Sequence, residues 1–203
     1  MKLIIGALSL LLSSFLPALP AHNLLIQKLD KINSLSASFT QLVLLNGRKV
    51  SDISGKFMLK KPGKIYWEIN QPSRQLLVAN GRQFWVYEPK LKQATVQKQT
   101  SDIGGAAGLF VSGKSNIWLA AYKVISYQQD KNTVFQLTAK SAKNSLAKIK
   151  LYFENDLLTR IDFSDQLGQY SEIKLIKMKL NQPISDSMFD FLPPRHADVI
   201  NLG

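Results

Sequence analysis

From residue 36 to residue 180 the apolar side chains recur at about every second position. That is the period of β-strands, whose successive side chains point to opposite faces. The spacing predicts strands over 36–45, 48–61, 65–70, 74–79, 82–88, 91–98, 121–128, 133–140, 146–153, 157–164 and 169–180. Between them stand turn signals: Asn46-Gly47, Pro62-Gly63, Asn80-Gly81, Asp130-Lys131-Asn132 and Asn155-Asp156. Asn-Gly between apolar runs supplies the left-handed positions of a two-residue hairpin turn. Connections this short join antiparallel neighbours. Parallel crossovers need many more residues, which argues against a doubly wound α/β fold.

Two stretches depart from that period. In 22–35, Leu25, Leu29 and Ile32 recur at helical spacing, with Leu24, Ile26 and Leu35 broadening the stripe. Residues 99–120 contain Gly104-Gly105-Ala106-Ala107-Gly108-Leu109-Phe110 and then Ser115-Asn116-Ile117-Trp118-Leu119, which read as short helices or a flexible loop with an apolar side. About eleven antiparallel strands in one twisted sheet tend to curl. A curled sheet has a concave face, and the helices are the elements available to cover it. The expected class is α+β.

The first residues read as an address. Met1-Lys2 is followed by an apolar run from Leu3 to Leu16 and then Pro17-Ala18-Leu19-Pro20-Ala21, the layout of a secretory signal peptide cleaved after Ala21. The run is shorter than the ~20 residues a spanning helix needs. Residues 22–203 are then expected to be one domain, exported and soluble. No Cys follows the cleavage site to accept a lipid anchor.

The chemistry is sparse. There is no Cys, which excludes disulfides, thiolate zinc sites, Fe–S clusters and Cys nucleophiles. The two His, His22 and His196, lie near opposite ends of the exported chain, so no triad or imidazole metal cage is expected. The acids are scattered singly, at Asp52, Glu68, Glu88, Asp102, Asp130 and Glu154; Asp162 and Asp165 read as a solvated pair at a strand end. The Gly104–Gly108 cluster lacks the Lys-Ser/Thr of a phosphate loop and the spacing of a dinucleotide loop. An enzyme, a metal and a cofactor are therefore not expected. The net charge is +12, but the lysines are dispersed and carry no RNA-binding signature. An acidic partner protein or an anionic membrane surface suits that charge better than nucleic acid.

Apolar faces are what the chain has instead. Ile53, Phe57 and Leu59 share a face, and period two places Lys61 with them. Ile65, Trp67 and Ile69 share another. For those two faces to meet, the loop around Pro62-Gly63 must have an odd number of residues, pairing Leu59 with Trp67 and Phe57 with Ile69. Across Asn80-Gly81, a two-residue turn pairs Leu77 with Phe84 and Leu76 with Trp85.

These segments carry a resemblance. Ser38-Phe39-Thr40-Gln41 follows the first helix. Gly55-Lys56-Phe57-Met58-Leu59-Lys60-Lys61-Pro62-Gly63-Lys64-Ile65-Tyr66-Trp67 and Gln71-Pro72 come next. Val78-Ala79-Asn80-Gly81, Trp85-Val86-Tyr87-Glu88-Pro89, Leu91-Lys92-Gln93-Ala94-Thr95 and Phe189-Asp190-Phe191-Leu192-Pro193-Pro194 complete the set. In order and spacing the chain resembles the LolA family of outer-membrane lipoprotein carriers.

The resemblance implies an incomplete, half-open antiparallel β-barrel with helices covering an apolar concave face. It implies a monomeric periplasmic carrier. Such a carrier takes lipoproteins by their acyl chains from an inner-membrane ABC transporter and hands them to an outer-membrane lipoprotein receptor. The expected acyl-chain contacts are Leu29, Phe57, Leu59, Ile65, Trp67, Phe84, Trp85, Phe110 and Trp118. Lys61 stands where the family carries an Arg that bonds lid carbonyls in the closed, empty form, with Leu29 and residues 103–111 as the lid here. An ammonium offers one point charge where Arg offers a planar five-donor fork. A lipid-sensing or regulatory module of the same fold in the envelope is the alternative reading.

Overall fold

The computed structural model describes residues 20–99 and 115–203. Helix α1 (Ala21–Asp30) leads into strands β1 (Ser34–Leu45), β2 (Arg48–Lys60), β3 (Lys64–Gln71), β4 (Gln75–Asn80), β5 (Gln83–Glu88) and β6 (Gln93–Lys98). After the short helix α2 (Ser115–Leu119) come β7 (Tyr122–Gln129), β8 (Asn132–Ala139), β9 (Leu146–Glu154), β10 (Leu157–Asp165) and β11 (Gln169–Leu180). A 3-10 turn (Asp186–Phe189) and β12 (Asp198–Asn201) close the chain.

Among the described residues, twelve strands form one sheet in the order β12-β6-β5-β4-β3-β2-β1-β11-β10-β9-β8-β7. Two meanders, β1–β6 and β7–β11, are joined edge to edge where β1 pairs β11. The edges β12 and β7 do not pair with each other, so the sheet is open. It is nevertheless strongly curled. Phe84 on β5 and Leu137 on β8 lie eight strand spacings apart, roughly 38 Å if the sheet were flat. Both belong to one buried apolar cluster, which also takes in Leu25 and Leu29 of α1 and Leu119 of α2.

The hairpins show how local chemistry sets register. Asn46-Gly47 forms a two-residue loop with both residues at positive φ (49° and 76°), and Leu45 pairs with Arg48. The β2–β3 loop is the odd one expected, Lys61-Pro62-Gly63, between the paired Lys60 and Lys64. Its register differs by two from the expected one: Leu59 faces Ile65 and Phe57 faces Trp67. The parity is kept, so the apolar faces still meet. At β4–β5 the loop is Gly81-Arg82 rather than Asn80-Gly81. The Asn80 Oδ1 accepts the Arg82 and Gln83 amides at 3.0 and 2.9 Å, which draws Asn80 into the turn as its first corner. Ala79 therefore faces Phe84, and Val78 faces Trp85.

Two further expectations are corrected. The first helix ends at Asp30, not near residue 35. Asn181, just past β11, accepts the Asn33 amide at 2.8 Å and the Ser34 amide at 3.3 Å, and donates to the Lys31 carbonyl at 2.9 Å. That clamp satisfies the groups a longer helix would have used, and Leu35 enters the core from β1 instead. The sheet also has a twelfth strand, and it is parallel: β12 lies along β6 with Val199 opposite Ala94. Its four residues are exposed, so it shows no burial alternation.

The segment from β11 to β12 straps the outer side of β2–β6. The Lys60 ammonium donates to the Ile184 carbonyl (2.9 Å) and the Asp186 carboxylate (2.5 Å), and Lys64 meets the other Asp186 oxygen at 2.9 Å. The Lys60 and Lys64 hydrogen bonds hold the Asp186 carboxyl down at about 2. Phe189 is fully buried, and the Phe191 ring packs at a tilt, its centroid 5.4 Å from Trp85 and 5.6 Å from Tyr87.

Where β2 crosses β3 and β1, Gly55 is fixed by space. A Cβ there would lie 1.9 Å from the Glu68 carbonyl oxygen and 2.8 Å from the Phe39 ring. Gly55→Ala must push two paired strands apart, and overpacking of this kind costs about 1–3 kcal/mol. Chemical denaturation should register that loss. An unchanged midpoint would mean that β2 and β3 separate there without penalty.

Candidate functional site

Strand alternation and register build two cross-sheet rows of apolar side chains on the inner face. Leu35, Leu59, Ile65, Ala79 and Phe84 stand in line across β1–β5. The next row is Ala37, Phe57, Trp67, Leu77 and Val86. Trp67 is the centre of the aromatic packing. It meets Phe39 edge-on at 5.1 Å and Phe57 at 5.2 Å. From the other half of the sheet, Phe135 and Phe153 meet at right angles with centroids 5.7 Å apart.

The rows bring together most of the residues expected to meet acyl chains. Phe57, Leu59, Ile65, Trp67 and Phe84 are all at most 7% exposed. Leu29 reaches them from α1 and is 7% exposed. Trp118 packs against the same cluster, edge-on to Tyr122 at 6.2 Å. These side chains form one buried cluster with Leu25 of α1 and Leu119 of α2.

Trp85 is the exception. It belongs to the alternate row, with Tyr66, Val78 and Val96, and its ring packs at a tilt against Phe191 of the outer strap. Its neighbours Phe84 and Val86 point inward, so period two sends Trp85 to the other face. Phe110 and the whole of 103–111 lie outside the described residues, as do residues 1–19 of the expected signal peptide.

Polar groups gather at one rim of the inner face. Lys61 sits in the β2–β3 loop with its side chain 19% exposed. Its Nζ donates to the Leu29 carbonyl at 2.8 Å and lies 3.9 Å from the Asp30 carboxylate. Leu29 and Asp30 are in the last turn of α1, where a cation is favoured; the Leu29 carbonyl also accepts the Ile32 amide at 3.1 Å. Burial lowers the Lys61 pKa from the ordinary lysine value, and Asp30 partly opposes the shift. The Ser115 hydroxyl of α2 donates to Asp30 at 2.9 Å. On the other side of the loop, the Gln99 amide donates to the Gly63 carbonyl at 2.8 Å and accepts the Gly81 amide at 2.8 Å.

Asp30, Ser115 and Gln99 escaped the sequence reading. Asp30 falls in the final turn only because the helix stops there, where an acid opposes the helix dipole and asks for a cation. Asp162 also departs from expectation. It is 3% exposed inside β10, where Arg160 donates to both its oxygens (2.6 and 2.7 Å) and Tyr152 donates at 2.9 Å. Asp165 does end the strand, accepting the Leu167 and Gln169 amides of the turn that follows.

Among the described residues no group of His, Asp and Glu could hold a metal ion, and no helix is long and apolar enough to cross a membrane. A pocket of about 560 Å³ over β1, β2 and β11 is bordered by Thr40, Gln41, Lys49, Asp52, Glu172 and Lys174. Leu42 and Ile53 also line it, and Ile53 packs against the buried cluster. What the apolar rows can do is exchange apolar contacts. They offer area and little directional bonding.

Comparison with known proteins adds an independent line. The family model described as outer membrane lipoprotein carrier protein LolA matches residues 30–192. A Legionella pneumophila (strain Corby) protein named outer-membrane lipoprotein carrier protein is 39% identical over 173 residues, covering 85% of this chain and 86% of its own. A Chromohalobacter salexigens protein of the same name is 33% identical over 176 residues, covering 86% and 84%. In structure, the chain is similar to a LolA-superfamily protein from Nitrosomonas europaea, with a TM-score of 0.52 at 17% identity over 86% of this chain and 99% of that one.

Proposed function

The chain belongs to the LolA family of outer-membrane lipoprotein carrier proteins, and we propose that its closed apolar rows open to hold the acyl chains of a lipoprotein in transit. It is a periplasmic lipoprotein carrier. Residues 1–21 act as its export signal, and 22–203 work as one monomeric domain. It receives cargo from an inner-membrane ABC transporter and passes it to an outer-membrane receptor.

The observation that carries this reading is the pair of buried inner rows clustered with Leu29, whose carbonyl accepts from Lys61. Each acyl methylene withdrawn from water is worth ~0.8 kcal/mol, so one 16-carbon chain needs on the order of 12 kcal/mol of shielding. The inner rows supply that shelter without directional bonds. In this reading α1 and α2 cover the inner face, and incoming chains replace the contacts Leu29 and Trp118 make with it. Loading and opening are then one coupled equilibrium. The Lys61–Leu29 hydrogen bond favours the closed form and so favours release. Phe110 joins the contact set when cargo is bound, while Trp85, on the outer face, does not. The names of the relatives do not favour a lipid-sensing regulatory module.

Depletion in the native cell tests the assignment. Outer-membrane lipoproteins should accumulate at the inner membrane within a few generations. Normal sorting under full depletion would overturn it.

A further inference from the structure

Between residues 115 and 150 the chain has six lysines and a single acid, Asp130, nearly half of the +12 net charge. Two of these lysines are engaged. Lys131 pairs with Glu154 at 2.8 Å, and Lys140 donates to the Ala120 carbonyl at 2.8 Å. Lys123, Lys143, Lys148 and Lys150 have no ion-pair partner among the described residues.

Register gathers three of the four. Lys123 on β7 faces Thr138 on β8, Thr138 faces Lys148 on β9, and Lys148 faces Ser164 on β10. Lys150 is two residues further along β9, on the same side. This side is the outer one, because the alternating neighbours Tyr122, Leu137, Ile149 and Phe163 are buried in the inner cluster. Lys148, Lys150, Ser164 and Tyr170 border a pocket of about 270 Å³.

Asp162 also lines that pocket, and it and the neighbouring Glu172 are already compensated. Asp162 and Glu172 both bind Arg160, and Glu172 also meets Lys174 at 3.0 Å. The positive charge of the three lysines is therefore left over. In the row of Lys150, through Gln136, stands Ile125, which is 54% exposed on the same outer face.

Lysine on an edge strand commonly guards against unwanted strand pairing. That accounts for Lys123 on β7. It does not account for Lys148 and Lys150, since β9 is paired on both sides. Three cations spread over strands about 4.8 Å apart suit a laterally extended anionic surface better than one compact ion.

We propose that the outer face of β7–β10 docks on an anionic phospholipid surface, with a phosphate headgroup between Lys148 and Lys150 and Ile125 at the level of the interface. The proposal goes beyond carriage of acyl chains and does not depend on it, because Lys123, Lys148 and Ile125 are exposed on the face opposite the inner rows.

Vesicle co-sedimentation tests it. The purified protein should sediment with phosphatidylethanolamine–phosphatidylglycerol vesicles and not with phosphatidylcholine alone, and added salt should weaken the binding. Replacing Lys123, Lys148 and Lys150 together by Gln should lower the affinity about a hundredfold, at the usual worth of a lysine near an anionic membrane. Replacing Lys90, Lys98 and Lys179 by Gln removes the same charge elsewhere and should change it less than about threefold on the same reasoning. Equal loss in the two triple variants, equal binding to neutral vesicles, or displacement by inorganic phosphate at matched ionic strength would overturn the proposal. Unchanged thermal unfolding of both variants keeps a folding defect out of the comparison.

Discussion

A Lys61→Leu variant will take up acylated cargo and give it up poorly. In the closed form the Lys61 ammonium donates to the Leu29 carbonyl at 2.8 Å from a site only 19% exposed. A hydrogen bond from a charged donor in such a setting is worth about 1.5–3 kcal/mol. Its loss should shift the closed-to-open ratio toward the open form by roughly 10- to 150-fold. The leucine also adds apolar area at the rim of the inner face, which favours retained chains. Transfer of a fluorescent lipopeptide to acceptor membranes should therefore slow by about tenfold or more, while uptake changes little. Lys61→Arg should restore release, because the guanidinium reaches the same carbonyl with donors to spare. If both steps slow equally, or neither does, Lys61 has no part in the exchange.

Trp67→Ala should be the most damaging single change to the empty protein and a much milder one to the loaded protein. Trp67 is 7% exposed and holds two edge-on ring contacts, to Phe39 and Phe57. Truncating a buried Trp costs about 3–5 kcal/mol. For a chain of this size that lowers Tm by roughly 6–20 °C. The void left behind lies in the row where acyl chains are proposed to lodge, and a chain can fill it. Added cargo should then raise the Tm of the variant by more than it raises that of the parent protein. Equal shifts would place the acyl chains away from Trp67.

The two experiments read different parts of one balance. Lys61 sets how readily the cover closes, and Trp67 sets how well the closed interior packs. Binding that competes with internal packing stays adjustable, and a carrier that must release its cargo needs that.

Much of this was legible in the residues. Alternation from residue 36 to residue 180 gave every strand of the two meanders to within a few residues, and Asn46-Gly47 gave its turn. The same alternation joined Phe57 to Leu59 and Ile65 to Trp67, and the odd β2–β3 loop let those faces meet. The site was legible to the extent that a shared face is. Period two says which side chains travel together; it does not say which of two apolar faces turns inward. Leu76 and Leu77 alternate, as do Phe84 and Trp85, and both faces there are apolar. Phe84 fell to the inner cluster and Trp85 to the strap because Phe191, more than a hundred residues later, covers the outer side.

By itself, then, the sequence determined the strand pattern, the loop parity, the excess of positive charge and the absence of thiol chemistry. Each follows from residues within a few positions of one another, or from composition. Only the tertiary structure decided where the first helix stops, which way Trp85 points and that the tail adds a parallel strand. These rest on partners distant in the chain, such as Asn181 on the amides of Asn33 and Ser34, 148 and 147 residues away. Nearby residues carry no mark of a partner that reaches them only after the sheet has curled.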